Sequence, residues 1–402
     1  MLHIAKSDDN GRLYLDYAAG APLSTFVAAQ MAQASTIHGN PSSLYEEGRA
    51  ARAALEGARE CVARALGARA SEIIFTGSGS ESDALALCGA ARALSRVGRH
   101  IIVSSIEHKA VLKSARALEK EGFSVSYLPP DKEGYISPDT LARAVRADTV
   151  LVSVMYANNE IGTVEPVQKL VDAVRARAPR VLFHTDACQA PGQLPVDVNL
   201  LGVDLMSVNG SKAYGPKGIG ALFVREGVRL EPIVHGEQEM GIRGGTESVL
   251  LAAGLAAALN ESEALRKMEA PRLERLRDLL ISQVESRISG ARLHGPRENR
   301  LPSNVHFSFS GVEGEAMLLM LDARGISCAT GSACNSLDLA PSHVLLAIGE
   351  DPELCHGSVR MTIGRATSEE DIFRATRELE DVVARLRSIS ALTIMKQNCF
   401  EK

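Results

Sequence analysis

The sequence predicts an α/β fold, with a large unit whose mostly parallel sheet lies between helices and a smaller α+β unit after it. Two observations carry this. Wholly apolar runs of four to six residues alternate with longer helical patterns through the first half of the chain. Such runs fit strands covered on both faces, as in a parallel sheet. After Thr246 the rhythm changes to one long, charged helical region, followed by a shorter mixture of strands and helices.

The elements follow in order. Residues 73–76 (IIFT) read as a strand and 80–96 as the helix after it. Residues 100–105 (HIIVSS) and 110–120 repeat that pairing, as do 124–129 with a helix near 138–146. The run 150–155 (VLVSVM) leads to a helix at 167–177, and strands follow at 181–184, 204–208 and 220–224. From 247 to 288 the pattern is helical, with dense charge at 261–277 and an interruption expected at Pro271, since proline lacks the N–H and crowds the preceding turn. Beyond Gly290, strands at 304–310 and 358–363 and helices near 315–323 and 369–387 complete the small unit. The expected division is 21–260 for the large unit and 261–402 for the small one. Residues 1–20 join the small unit or line the cleft.

Composition narrows the function. The chain has 402 residues, 45% of them apolar and 23% charged, enough to bury a large core. Its net charge of −5 is spread without like-charge blocks, and Trp is absent. Nucleic acid and anionic membranes need clustered cations, and base stacking needs aromatics, so neither class of partner is expected. Seven cysteines, an odd number with no C-x-x-C, suggest neither a disulfide framework nor a zinc knuckle, and no metal is expected. The N-terminus has Asp8 and Asp9 and no apolar stretch of the signal-peptide kind. The most apolar helical stretch, 249–259, is about half the ~20 residues that span a bilayer. A reducing, cytoplasmic setting is the expectation.

Ligands of doubly wound sheets bind beyond the carboxyl ends of the strands, and five such positions carry unusual residues. Gly77-Ser78-Gly79-Ser80 opens a helix; a phosphate cup, with Ser80 as cap, and an ordinary strand–helix turn fit it equally. His108 follows the second strand, where a structural histidine is the commoner case. Asn158-Asn159-Glu160 follows 150–155, and a tight Asx turn is the simpler explanation. Asp186 and Gln189, three apart, could cap a helix or address one flat ligand. Lys212 sits in a fixed loop between Asn209-Gly210-Ser211 and Gly215-Pro216; it is either a solvated lysine or a Schiff-base lysine. Finally, Cys334 lies in the small-residue stretch Thr330-Gly331-Ser332-Ala333-Cys334, which suits a travelling nucleophile better than a packed thiol.

Taken together, TGSGSES, SIEHKAV, ANNEIGT, HTDACQ, SKAYGPKGIGALF, RGGT, TGSACNS and SVRMTIGR resemble the cysteine desulfurases of the NifS/IscS type. These are pyridoxal-phosphate (PLP) enzymes of the class V aminotransferase fold, a fold-type-I transferase architecture. The resemblance runs from Tyr14 to about Leu386. It implies that Lys212 holds PLP as a Schiff base, that Asp186 pairs with the pyridinium nitrogen, and that His108 stacks on the ring as an acid/base group. Gln189 and Asn159 would approach the ring oxygen and the substrate side. Gly79, Ser80, Ser211 and Asn209 would hold the phosphate, with Thr246 reaching it from a partner subunit of a homodimer. Arg360 would take the substrate carboxylate, and Asn40 would line the substrate side. Cys334 would attack the sulfur of bound L-cysteine, leaving alanine and a persulfide for a protein acceptor in iron–sulfur or tRNA-thiolation chemistry. Cys328 would be a bystander.

Three departures stand out: Ser211 where the family has His, Gly20-Ala21 where it has Thr-Thr, and a stretch from His235 to Glu239 that is one glycine short. Two alternatives accompany this reading. One is a selenocysteine lyase or another class V enzyme. The other is an inactive scaffold paralogue in a sulfur-transfer complex.

Overall fold

The computed structural model describes residues 11–331 and 341–389. The chain enters through β1 (Leu13–Tyr14), then α1 (Thr25–Ala34) and α2 (Glu46–Leu66), two helices that the strand-helix rhythm did not reveal. The alternating region follows: β2 (Ile73–Thr76), α3 (Gly79–Ala84), a π-turn at Leu85–Gly89, α4 (Ala90–Ala93), β3 (His100–Ser104) and α5 (Lys109–Lys120). Next come β4 (Ser124–Leu128), α6 (Pro138–Ala144), β5 (Thr149–Ser153), α7 (Val167–Arg177), β6 (Leu182–Asp186) and α8 (Val198–Leu201). The antiparallel pair β7 (Leu205–Asn209) and β8 (Gly220–Val224) ends this region.

These strands form one seven-stranded sheet in the order β2-β8-β7-β6-β5-β3-β4. Only β8 runs against the rest, pairing antiparallel with both β2 and β7. Consequently β2, β3, β5, β6 and β7 all end on the same edge. Alternate residues feed two cores. Ile73, Phe75, Phe183, Met206 and Phe223 pack toward α1, α2, α7 and the start of α9. Ile74, Ile101, Val103, Leu151 and Leu222 pack toward α5 and the π-turn helix. Burial on both faces is why these strands read as continuous apolar runs rather than alternating ones.

The rest of the described chain is α9 (Val249–Arg287), β9 (Ala291–Leu293), β10 (Asn304–Phe309), α10 (Gly314–Ala323) and β11 (Ile326–Ser327). Then follow α11 (His343–Ala347), α12 (Pro352–His356), β12 (Ser358–Thr362) and α13 (Glu369–Ile389). A three-stranded antiparallel sheet, β12-β10-β9, packs on α9, α10 and α13 around Phe307, Phe309, Leu280 and Leu379. The same core takes Leu13 and Leu15, and β1 pairs parallel with β11.

Pro271 does not interrupt the long helix, contrary to expectation: α9 continues through it. Proline forfeits one hydrogen bond of the ladder, yet Leu255 and Leu259 before it lie in the first core, and Leu273, Leu276 and Leu280 after it lie in another. Arg272 adds bonds to the carbonyls of Gly364, Arg365 and Thr367. Packing on both sides outweighs one missing bond. Among the described residues no helix is long and apolar enough to cross a membrane.

Candidate active site

Four of the strands that end on the shared edge, β2, β3, β6 and β7, deliver polar groups to one place. After β2 the chain turns into α3, whose N-cap is Ser78: its Oγ accepts the Glu81 N–H at 3.1 Å. This corrects the expectation that Ser80 is the cap; the helix begins one residue earlier, at Gly79, so Ser80 belongs to its first turn. The unbonded N–H groups of a first turn attract an anion. Gly79 is required here, because a Cβ would lie 2.5 Å from Cys188 Sγ.

After β3, His108 caps α5, its Nδ1 accepting the Ala110 N–H at 3.2 Å. A neutral ring in that arrangement carries its proton on Nε2. Burial pushes its pKa below the usual histidine value, partly opposed by Asp186 and assisted by Lys212. Asp186 closes β6; it is buried, and its Oδ1 accepts the Cys188 N–H at 2.8 Å. After β7, Asn209 Oδ1 accepts the Lys212 N–H at 3.2 Å, which fixes the start of that loop.

These groups surround a cavity of about 200 Å³ lined by Gly79, Ser80, His108, Asp186, Asn209, Ser211 and Lys212. Sequence reasoning missed other residues of its wall, among them Asp83, Cys188 and Lys217. Asp83 was legible in principle, since it sits one helical turn after Gly79. It is 1% exposed, its Oδ1 has no hydrogen-bond partner, and it lies 3.7 Å from His184 Nε2. Burial, with Asp186 adding to it, pushes the Asp83 carboxyl well above the usual range. His184 is held by Ser153 Oγ at 2.9 Å and Ser207 Oγ at 3.0 Å, and burial drives its pKa down to about 4. Burial thus disfavours the charged form of both groups at the polar floor of the cavity. Burial, reinforced by Asp186 and Asp83, likewise raises the Cys188 thiol well above its ordinary value, so it is not a thiolate.

The substrate-side assignments fall elsewhere. Arg360, on β12, is buried; its Nη1 donates to the Asn159 carbonyl at 3.1 Å and its Nη2 to Asp16 Oδ1 at 2.8 Å. The Asx turn considered for this segment is present: Asn158 Oδ1 accepts the Glu160 and Ile161 N–H groups. Gln189 borders a second small space beside Lys212, but its Nε2 donates to the Ala18 carbonyl at 3.1 Å. Asn40 and Thr246 are exposed and do not line the cavity of their own chain. Cys334 lies outside the described residues. Cys328 is near the Arg360–Asp16 pair, and burial pushes its thiol up to about 12. In the stretch that is one glycine short, buried Glu239 accepts two bonds from Arg59 and one from the Phe75 N–H. Both Glu239 (φ 46°) and Met240 (φ 59°) take the left-handed backbone that glycine tolerates best.

The donor set fits pyridoxal phosphate. A helix start and two hydroxyls suit the phosphate, a buried carboxylate suits the ring nitrogen, and the lysine stands in the same cavity. The comparisons with known proteins agree. A family model for class-V aminotransferases matches residues 13–374. The cysteine desulfurase IscS of Dictyoglomus turgidum is 49% identical over 380 residues, covering 94% of this chain and 96% of that protein. Its counterpart from Methanosarcina thermophila is 45% identical over 96% of each. Among solved structures, a NifS-like protein superposes with a TM-score of 0.87 at 34% identity, covering 93% of this chain and 99% of the other. SspA in complex with cysteine gives 0.77 at 36% identity, covering 87% and 98%. The chain belongs to the class-V aminotransferase family and, within it, to the PLP-dependent cysteine desulfurases of the IscS/NifS type.

Proposed function

We propose that the protein takes sulfur from L-cysteine, releases L-alanine, and passes the sulfur from Cys334 to an acceptor protein. The observation that carries this reading is the single cavity shared by Lys212, Asp186, His108, Ser211 and the start of α3. Lys212 would hold the cofactor covalently, Asp186 would keep its ring nitrogen protonated, and Gly79, Ser80, Asn209 and Ser211 would hold its phosphate. When bound, PLP supplies the electron sink for bond breaking at the substrate's α and β carbons.

The chain's own residues supply the rest. Arg360 offers a planar fork to the substrate carboxylate. His108, with Nδ1 taken by the Ala110 N–H, has Nε2 free to face the reacting atoms, where a neutral ring can donate a hydrogen bond to a developing negative charge. Cys334 Sγ, as thiolate, attacks the sulfur of L-cysteine: the Sγ–Sγ bond forms and the substrate Cβ–Sγ bond breaks. Its electron pair stays on carbon, which takes a proton and leaves as alanine. Ser211 keeps a hydroxyl where the family has His, so an anion donor is retained.

The homodimer reading is supported by exposed Leu23, Phe26, Ile233, Val234 and Met240, and by Thr246, which does not reach the cavity of its own chain. The division into units at 20/21 and 260/261 is supported by the separate cores around β6 and β10, although α9 serves both. A cytoplasmic setting is supported by free Cys61, Cys88, Cys188, Cys328 and Cys355. The test is an absorbance spectrum with L-cysteine added and alanine and sulfide assayed together. Cys334→Ala is expected to keep the cofactor band and lose sulfide release with L-cysteine, whereas unchanged release removes Cys334 from the reaction. A cofactor band with no alanine formed would point to another amino acid substrate.

A further inference from the structure

Building on the assignment of Arg360 to the substrate carboxylate, we propose that Asp16 is a stand-in carboxylate that occupies this guanidinium until substrate arrives and thereby sets carboxylate affinity. A guanidinium that is 5% exposed needs a counter-charge, because an unpaired buried cation is strongly disfavoured. Asp16 provides it at 2.8 Å through Nη2, while Nη1 is spent on the Asn159 carbonyl and Nε is buried with no acceptor. Arg360 therefore meets substrate with a carboxylate already on its fork.

The two ends of this pair are held differently. Arg360 is fixed by its strand, by Ala329 on both sides of its backbone, and by Asn159. The Asp16 backbone is also fixed, bridging Thr362 and accepting the Tyr14 hydroxyl at 2.9 Å. Its carboxylate is not: among the described residues it has no hydrogen bond except the one to Arg360, and its side chain is 20% exposed. A residue that served only to orient Arg360 would itself be held by neighbouring donors. Asp16 instead can turn to water when another carboxylate takes its place, or stay and repel it. Either way its charge opposes the incoming carboxylate.

Asp16→Asn keeps the size and one acceptor oxygen and removes the charge. The holoenzyme variant is expected to show a KM for L-cysteine on the order of three- to tenfold lower, without a rise in kcat. Calorimetry is expected to give a matching fall in Kd for the product L-alanine. A KM and Kd that rise or stay unchanged overturn the proposal, since Asp16 would then orient Arg360 or do nothing to it. Asp16→Ser has the same expected direction and decides the matter should the Asn variant fail to fold. Arg360→Gln is measured alongside. If it leaves KM and Kd unchanged, the carboxylate assignment itself fails and takes this proposal with it. If it abolishes binding while Asp16→Asn does not tighten it, only the role of Asp16 is lost.

Discussion

The two halves of the site are assembled by different means. His108, Asp186 and Lys212 stand at, or within four residues of, the carboxyl ends of three strands of one sheet. Arg360 meets Asn159 across 201 residues and Asp16 across 344, and it hangs from the small sheet. The half proposed to face the cofactor is thus fixed by local backbone: a strand end, a cap, an Asx-type bond. The substrate-facing half depends on how the small sheet and the N-terminal segment settle against the large sheet. Damage to one half should therefore be separable from damage to the other.

The largest expected effect tests the first half. On the role proposed for Lys212, Lys212→Ala removes the covalent hold and an amine that moves protons, so turnover should fall by about 10³-fold or more. The variant should still melt cooperatively, because Lys212 is only half-buried and its side chain serves no core. Retained turnover within tenfold would remove Lys212 from the chemistry.

Next in size is a pair of cavity-creating changes, one in each core. Phe223→Ala in β8 and Phe307→Ala in β10 both delete a fully buried ring and should each cost about 3–5 kcal/mol in denaturant unfolding. They should part in function. Phe223 lies in the sheet whose edge carries the cavity, so its loss should weaken cofactor retention first. Phe307 stands opposite Val359, next to Arg360, so its loss should raise KM for L-cysteine while the cofactor band persists. The same functional change from both variants would break the separation.

The same contrast explains what was legible in the sequence. The inner strands of the sheet were readable because they are buried on both faces, unlike the part-exposed edge strand β4, and the polar residues at their ends followed directly. The helix caps were less so: Ser78 and Ser80 are chemically equivalent, and only the helix start at Gly79 chooses between them. Pro271 misled because a local rule about proline was outweighed by cores that the sequence does not display. Asp16 could not be tied to Arg360 by any local pattern, as the tie exists only after β1 pairs with β11 and Asp16 bridges Thr362. Asp83 hid as an ordinary helical acid, although its position one turn after Gly79 aims it into the cavity wall.

The smallest expected effect asks whether the cofactor-facing half is tuned by burial or by neighbouring charge. Burial is the main reason the His108 pKa lies low; the cations Lys212 and Lys109 push the same way, Lys109 more weakly, and Asp186 pushes against them. The neutral ring should therefore persist as pH falls below the ordinary value of about 6.5. Lys109→Gln removes one half-exposed cation, and its screened influence should raise the His108 pKa only slightly. The measurement is the pH titration of the His108 ring signal by NMR in the cofactor-free protein, where no other group's chemistry intrudes. A shift of a full unit would mean that surface charge, not the packed edge of the sheet, governs this group. The cofactor-facing half would then be as dependent on its surroundings as the half that holds Arg360.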